Sequence, residues 1–134
     1  MILSNNLNEM SKKIFESNLA VGWWTTDDVL NASKCKVSNK YDKGTATLIS
    51  SKMALIHSEV SESLEGMRKG LKDDHLPHRD MVEVELADTV IRILDLAGFL
   101  NLDIGGAVRE KFKYNQERSD HKLSNRESLG GKTI

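Results

Sequence analysis

Apolar residues recur along most of this chain at intervals of three and four, the spacing that is typical of amphipathic helices. A first stripe covers Leu3 to Ile14, and the longest one extends through residues 45–69, where Gly70 supplies a helix-ending residue. Residues 21–43 lack this regularity, so we expect a loop there with a short helix near residues 27–33.

Two more helices are predicted farther along the chain. The first covers residues 80–97, because Asp80 and Glu83 resemble a capping box at its start and Gly98 supplies another helix end. The second covers residues 104–118. A polar connection that contains the only proline separates the two strongest helices.

This periodicity predicts an all-α fold. A chain of 134 residues suits one domain. We expect a single helical domain over residues 1–118, with its core in residues 45–118, and a polar tail over residues 119–134.

Composition excludes several classes of protein. The formal net charge of −1 argues against binding to a nucleic-acid polymer, which favours a basic surface. Cys35 is the only cysteine, so it cannot form an internal disulfide, and this fits a reducing compartment. Residues 1–10 lack a signal-peptide pattern, and no apolar stretch is long enough to span a bilayer. We therefore expect a cytoplasmic protein without a membrane partner.

Two acidic pairs carry most of the candidate chemistry. Glu59 and Glu62 lie three residues apart in one predicted helix, and Glu85 and Asp88 do so in the next. Residues at this spacing share a helix face, so packing of the two helices can bring four carboxylates together. Four like charges at one place need cations, and Mg²⁺ is a hard cation that prefers such oxygen ligands.

The helix from Val82 to Ala97 is apolar around most of its circumference. Such a helix is expected to be buried, and dimerisation into a larger bundle is the natural way to cover it. Its narrow polar strip holds both acidic ligands and continues to Arg92 and Asp95. These two residues either orient the ligands as a second shell or form an ordinary ion pair with each other.

Two other groups of residues are candidates for substrate binding. Lys111, Asn115 and Arg118 share a helix face that suits phosphate oxygens and a sugar, and the alternative is a solvated helix end. Trp23 and Trp24 offer surfaces for stacking on a base, and the alternative is a place in the core or at a subunit interface.

The acidic pairs and their surroundings resemble a known family. Leu55–Glu62 and Glu85–Asp95 are similar to the two central helices of the MazG-like, all-α nucleoside triphosphate pyrophosphohydrolases, and Lys111–Arg118 is similar to the helix that follows them. The resemblance covers about residues 45–118 and depends on the combination of both acidic motifs.

The resemblance implies a helical homodimer, or a dimer of dimers, that binds Mg²⁺ through Glu59, Glu62, Glu85 and Asp88, with Mn²⁺ as a possible substitute. It implies hydrolysis of a (deoxy)nucleoside triphosphate between the α and β phosphates. Glu59 or Glu62 would orient the attacking water, and the sequence does not separate this role from metal binding. Lys111 and Asn115 would contribute to the site, Lys111 as a catalytic residue.

Two alternatives remain open at this stage. Within the same chemistry, the substrate would be a narrow one, such as dUTP, dCTP, a modified nucleotide or a guanosine tetraphosphate. In a different class, the protein would be a non-enzymatic helical interaction module whose acidic strips bind a partner or form salt bridges.

Overall fold

The computed structural model describes residues 2–118, apart from the side chains of residues 2–4 and 37. Five helices make up this part of the chain, α1 (Ile2–Ala20), α2 (Thr26–Ser38), α3 (Lys43–Lys69), α4 (Met81–Phe99) and α5 (Ile104–Glu117). No strand occurs among the described residues, which confirms the all-α prediction. The predicted tail, residues 119–134, lies outside the described part.

The chain divides into two compact units. Among the described residues, one comprises residues 9–102, and the other comprises residues 2–8 together with residues 103–118. In the second unit, Asp103 caps α5 by accepting the backbone N–H of Gly106, and it also accepts the Asn8 side-chain amide. Within residues 2–118, no helix combines the length and the apolar character that a bilayer crossing requires.

Helix α2 is longer than the short helix predicted within residues 21–43. Thr25 begins it with a complete capping box, since its hydroxyl accepts the backbone N–H of Asp28 and the Asp28 carboxylate accepts the N–H of Thr25. Asn39 ends the helix in the left-handed conformation. The apolar periodicity of this segment is weak and predicts too short a helix, although the capping residues Thr25 and Asp28 can be recognised in the sequence.

Helix α3 extends over almost the predicted range. Asp42 caps its first turn, and this carboxylate accepts both the backbone N–H and the hydroxyl of Thr45. These hydrogen bonds lower the pKa of Asp42 to about 2, with a further contribution from the Cys35 thiol. Gly70 ends the helix at a φ of 62°, as predicted.

The start of α4 differs from the predicted capping box. Asp80 precedes the helix, but its side chain makes no capping hydrogen bond; it pairs with Lys72 instead, at 2.6 Å. The Glu83 carboxylate likewise pairs with Arg79. The connection between α3 and α4 carries enough basic residues to compete for both carboxylates, so the capping box does not form.

The prediction that α4 ends at Gly98 is also wrong. The helix includes Phe99, and Gly98 lies where α1 approaches most closely. A Cβ atom at this position would lie 2.6 Å from the Phe15 Cβ and 2.8 Å from the Ser11 carbonyl oxygen. The glycine therefore permits helix packing here, rather than a chain reversal.

The core of the larger unit forms around Trp24. Its ring is 2% exposed and stacks on Phe99, with ring centroids 4.0 Å apart. Ala32, Ile49 and Leu96 complete the buried cluster. The segment between α1 and α2, predicted to be mainly loop, thus supplies the central core side chain and fixes α2 and α3 against α4.

Apolar side chains of α3 and α4 also face solvent. Helix α3 packs along α4, yet each helix leaves one stripe of large apolar residues exposed, namely Met53, Val60, Leu64 and Met67 on α3 and Leu86, Val90 and Ile93 on α4. Neighbouring helices of the single chain cover only part of the circumference of α4, so its burial in a dimer stays a prediction. We call this set the exposed apolar face.

Candidate functional site

Three of the four predicted carboxylate ligands converge where α3 packs on α4. Glu59, Glu85 and Asp88 each place one carboxylate oxygen within 4.8 Å of the others. Glu59 and Glu85 are 6% and 8% exposed, and Asp88 is half-buried. The spacing of three residues sets Glu85 and Asp88 one helical turn apart, so both reach the same place beside α3.

Glu59 has one cationic partner. Its Oε1 lies 2.7 Å from the Arg92 Nε, but the N–H is not directed at this oxygen, so the contact is an ion pair without a hydrogen bond. The buried Nε–H thus has no hydrogen-bond acceptor among the described residues. Arg92 compensates part of the negative charge of the cluster while its N–H group remains unsatisfied.

Glu85 has no ion pair with a basic residue in the described part of the chain. Burial raises the pKa of its carboxyl to about 7, and the neighbouring carboxylates Glu59, Glu62 and Asp88 add to this effect. A buried carboxylate without a counter-charge is costly, and a bound cation would remove that cost. Near neutral pH Glu85 therefore lacks a counter-charge of its own among the described residues, although Arg92 pairs with the neighbouring Glu59.

Glu62 lies at the edge of this arrangement. It is exposed and falls outside the three-residue cluster, but it lines the same cavity, whose volume is about 480 Å³. Glu65, the next acidic residue along α3, pairs with Lys69. The structure thus brings together Glu59, Glu85 and Asp88, and it leaves Glu62 facing the open side of the cavity.

The donor set fits a hard divalent cation. Carboxylate oxygens are the ligands that Mg²⁺ and Ca²⁺ take, and Mg²⁺ usually keeps several waters beside one or two carboxylates. Three converging carboxylates and an open side toward Glu62 satisfy this chemistry. The donor set by itself does not select one divalent ion over another.

The α3–α4 connection contributes two residues that sequence reasoning missed. Asp73 and His75 line the carboxylate cavity. Asp73 is buried, and its Oδ1 accepts the backbone N–H groups of His75 and Leu76, which holds this part of the connection in a turn. No residue spacing in the sequence relates this connection to the acidic pairs, so its place at the cavity could not be predicted.

A second cavity, of about 160 Å³, adjoins the first. Its lining includes Trp23 and Trp24, and Asp88 and Arg92 line both cavities. The Trp23 side chain is 63% exposed, whereas Trp24 is a core residue. Of the two predicted stacking residues, Trp23 therefore has the more exposed ring, with the Lys52 Nζ 5.9 Å from its centroid, and base contact by either residue stays a prediction.

Lys52 belongs to this second cavity, although the sequence did not single it out. Its Nζ lies 4.2 Å from the centroid of the Trp24 ring and donates to the Trp23 carbonyl oxygen. Lys52 precedes Glu59 by seven residues, which is close to two helical turns. The helical wheel that grouped the acidic residues of α3 would have placed this lysine on their face.

Arg92 and Asp95 do not pair with each other. Arg92 contacts Glu59, as described above, and Asp95 accepts the Trp24 indole N–H with both of its oxygens, at 2.9 and 3.1 Å. The ordinary ion pair between them, one of the two predicted alternatives, is thus not formed. The contact with Glu59 is compatible with an orienting role for Arg92, and that role stays a prediction.

Of the predicted phosphate-binding residues, Lys111 and Asn115 lie on α5, in the other unit, and Arg118 follows the last residue of this helix. The Lys111 ammonium lies 4.6 Å from the centroid of the Tyr114 ring, and the Arg118 guanidinium lies 5.7 Å from it. Lys111 and Asn115 line one shallow cavity, which agrees with their predicted common face. Their predicted contacts with substrate stay predictions.

Comparison of the chain with protein-family models, with curated proteins and with solved structures finds no match.

Proposed function

We propose that this protein is a Mg²⁺-dependent hydrolase that cleaves (deoxy)nucleoside triphosphates between the α and β phosphates, giving a monophosphate and pyrophosphate. The observation that carries the proposal is the convergence of Glu59, Glu85 and Asp88 within 4.8 Å, with Glu85 buried and without an ion pair to any basic residue in the described part of the chain. The resemblance of the same residues to the MazG-like family supplies the reaction.

The described residues suggest a division of roles. Glu59, Glu85 and Asp88 would hold the metal, which would neutralise and orient the phosphates. Glu62 faces the open side of the cavity, so its carboxylate is available either as a fourth ligand or as the group that orients the attacking water. Arg92 would keep the Glu59 carboxylate in position through their ion pair.

The exposed apolar face supports a homodimer as the working form. Contiguous apolar surface of this kind on a protein usually marks an interaction site. A second copy packed on α3 and α4 would cover Val60, Leu64, Leu86 and Val90, which are about half exposed in the single chain. Sedimentation should therefore show a dimer or a dimer of dimers, and a stable monomer would contradict this part of the proposal.

The test is pyrophosphate release from a panel of nucleoside triphosphates, with and without Mg²⁺. We expect release that stops with EDTA and that falls by more than about 100-fold in Asp88→Asn. Glu65→Gln is the matched control, because this residue lies on α3 but pairs with Lys69 outside the cluster. Release from no nucleotide, or full activity in Asp88→Asn, would refute the proposal.

The same panel addresses the narrower alternative. Including dUTP, dCTP, modified nucleotides and a guanosine tetraphosphate shows whether one substrate dominates. A non-enzymatic interaction module would instead gain no thermal stability from Mg²⁺ with a nonhydrolysable nucleotide, since only ligands that bind the native state raise Tm.

A further inference from the structure

The carboxylate cavity reaches from the cluster to the connection between α3 and α4. Near the connection, Gly66 of α3 lies against the Met81 side chain at the start of α4. Farther from it, Glu59 pairs with Arg92, so the two helices run antiparallel. The connection, the carboxylate cluster and the second cavity therefore follow one another along this helical hairpin, and residues 73, 75 and 76 close the carboxylate cavity at the connection.

The lining of the carboxylate cavity is rich in acceptors and poor in donors. Among the described residues that line it, only Arg92 and His75 carry side-chain N–H groups, and Arg92 already pairs with Glu59. The His75 imidazole is exposed and forms no hydrogen bond or ion pair with another residue in the described part of the chain. Five carboxylates make up most of the remaining polar lining, namely Glu59, Glu62, Asp73, Glu85 and Asp88.

Asp73 holds the backbone of His75 at the cavity. Asp73 is 7% exposed, and its Oδ1 accepts the backbone N–H of His75, at 3.0 Å, and that of Leu76. The backbone N–H of Asp73 donates to the Arg79 carbonyl oxygen, which closes the connection on itself. A side chain on such a fixed turn needs little ordering when it binds a ligand, so less of the contact energy is lost.

The two ends of the hairpin site differ in chemical character. The second cavity contains Trp23 and Trp24, which are predicted to stack on a base, whereas the connection presents an imidazole. In the proposed reaction the α and β phosphates lie at the metal, so the nucleoside and the γ phosphate extend from it in different directions. With the nucleoside toward the tryptophans, the γ phosphate extends toward the connection.

We infer that His75 contacts the terminal phosphate of the substrate and that Asp73 is its positioning residue. An imidazole carries at least one N–H in either protonation state, so it can donate to a phosphate oxygen without a change of charge. The β and γ phosphates leave together as pyrophosphate, and a donor to their oxygens stabilises the negative charge that develops there. The inference rests on the proposed function for the substrate, but contact with pyrophosphate is measurable without hydrolysis.

The kinetic test compares the best-cleaved nucleoside triphosphate with the corresponding diphosphate. Water attacks the same α–β linkage in both, and pyrophosphate leaves from the first and orthophosphate from the second. His75→Ala should lower kcat/KM for the triphosphate by about tenfold or more and leave the value for the diphosphate unchanged, because only the triphosphate reaches the imidazole. His78→Ala is the matched control, since this histidine is exposed on the same connection but does not line the cavity. Equal losses for both substrates, or no loss for the triphosphate, would overturn the inference.

Conservative variants separate hydrogen bonding from a change in folding. His75→Gln keeps an N–H donor and should recover much of the activity toward the triphosphate, and a glutamine variant as impaired as the alanine variant would contradict donation by His75.

Asp73→Asn keeps an oxygen that can accept the N–H groups of His75 and Leu76, so its preference for the triphosphate should persist, whereas Asp73→Ala should show the selective loss. Loss of cleavage of both substrates in Asp73→Asn would overturn the positioning role.

Binding of pyrophosphate in Mg²⁺, measured by calorimetry, is the readout that does not need hydrolysis. We expect Kd to rise by about tenfold in His75→Ala and to stay unchanged in His78→Ala. This result without phosphate release from any nucleotide would refute the hydrolase and leave the His75 contact standing. Pyrophosphate release from triphosphates, with unchanged kcat/KM and unchanged pyrophosphate binding in His75→Ala, would refute the contact and leave the hydrolase standing.

Discussion

Replacing Glu85 with glutamine should stabilise the metal-free protein above neutral pH. Glu85 is buried beside two other carboxylates, and its pKa lies near 7 instead of at its ordinary value of 4.5. A pKa difference of this size corresponds to about 3 kcal/mol of free energy that disfavours the ionised form in the native protein. Solvent enters the cavity beside exposed Glu62 and screens part of this cost, so we expect a gain of about 1–2 kcal/mol in the glutamine variant.

The sign of the effect depends on pH. Between about pH 4.5 and 7 the native protein retains a proton on Glu85 that the unfolded chain has lost, so the stability of the wild type falls as pH rises through this window. In EDTA at about pH 8, Glu85→Gln should melt several degrees above the wild type. At about pH 4 the two proteins should differ much less, because Glu85 is then protonated in both states.

Mg²⁺ should reverse the order of stability. The cation binds the native wild type and would raise its unfolding free energy by about 2.7 kcal/mol at a hundredfold excess over Kd, whereas the variant lacks one ligand. Glu9→Gln, an exposed site on α1, is the control for removal of a charge. If Glu85→Gln lowers Tm equally at both pH values in EDTA, ionisation of Glu85 does not destabilise the native protein, and this prediction is wrong.

Two further predictions concern the fold. Gly98→Ala would place a methyl group 2.6 Å from the Phe15 Cβ and should lower the free energy of unfolding, measured in urea, by about 1–3 kcal/mol. The control Ala54→Gly, on an exposed face of α3, should lower it by at most about 1 kcal/mol. Equal losses in the two variants would contradict tight packing of Gly98 against α1. Asp42→Asn should lower Tm at neutral pH and remove part of the stability loss between about pH 4 and 2, because hydrogen bonds lower the pKa of this carboxyl to about 2. If the Tm of Asp42→Asn fell between about pH 4 and 2 by as much as the Tm of the wild type, the capping role of Asp42 would be refuted.

Local spacing predicted those parts of the structure that depend on a single helix. The range of α3, its end at Gly70 and the common face of Glu85 and Asp88 follow from helical periodicity and glycine chemistry. The exact membership of the cluster did not follow, since it depends on how far α3 is rotated against α4. That rotation buries Glu59 and leaves Glu62 exposed.

Contacts between distant residues explain the other differences. Gly98 looked like a helix end because the approach of α1 is invisible in the local sequence. Trp24 and Asp95 are widely separated in the chain, so their hydrogen bond, and with it the loss of the predicted ion pair to Arg92, could not be foreseen. The predicted capping box at Asp80 does not form because Lys72, in the connection before α4, pairs with the Asp80 carboxylate.

The carboxylate cluster draws its three members from α3 and α4 alone, two consecutive helices whose connection is itself hydrogen-bonded. Closing such a helical hairpin costs little chain entropy, so it can form early and persist when other helices open. The adjoining cavity also needs Asn18 and Trp24, which lie before α2. Under increasing denaturant, the adjoining cavity should therefore be lost before the carboxylate cluster, and amides of the hairpin should exchange with solvent last.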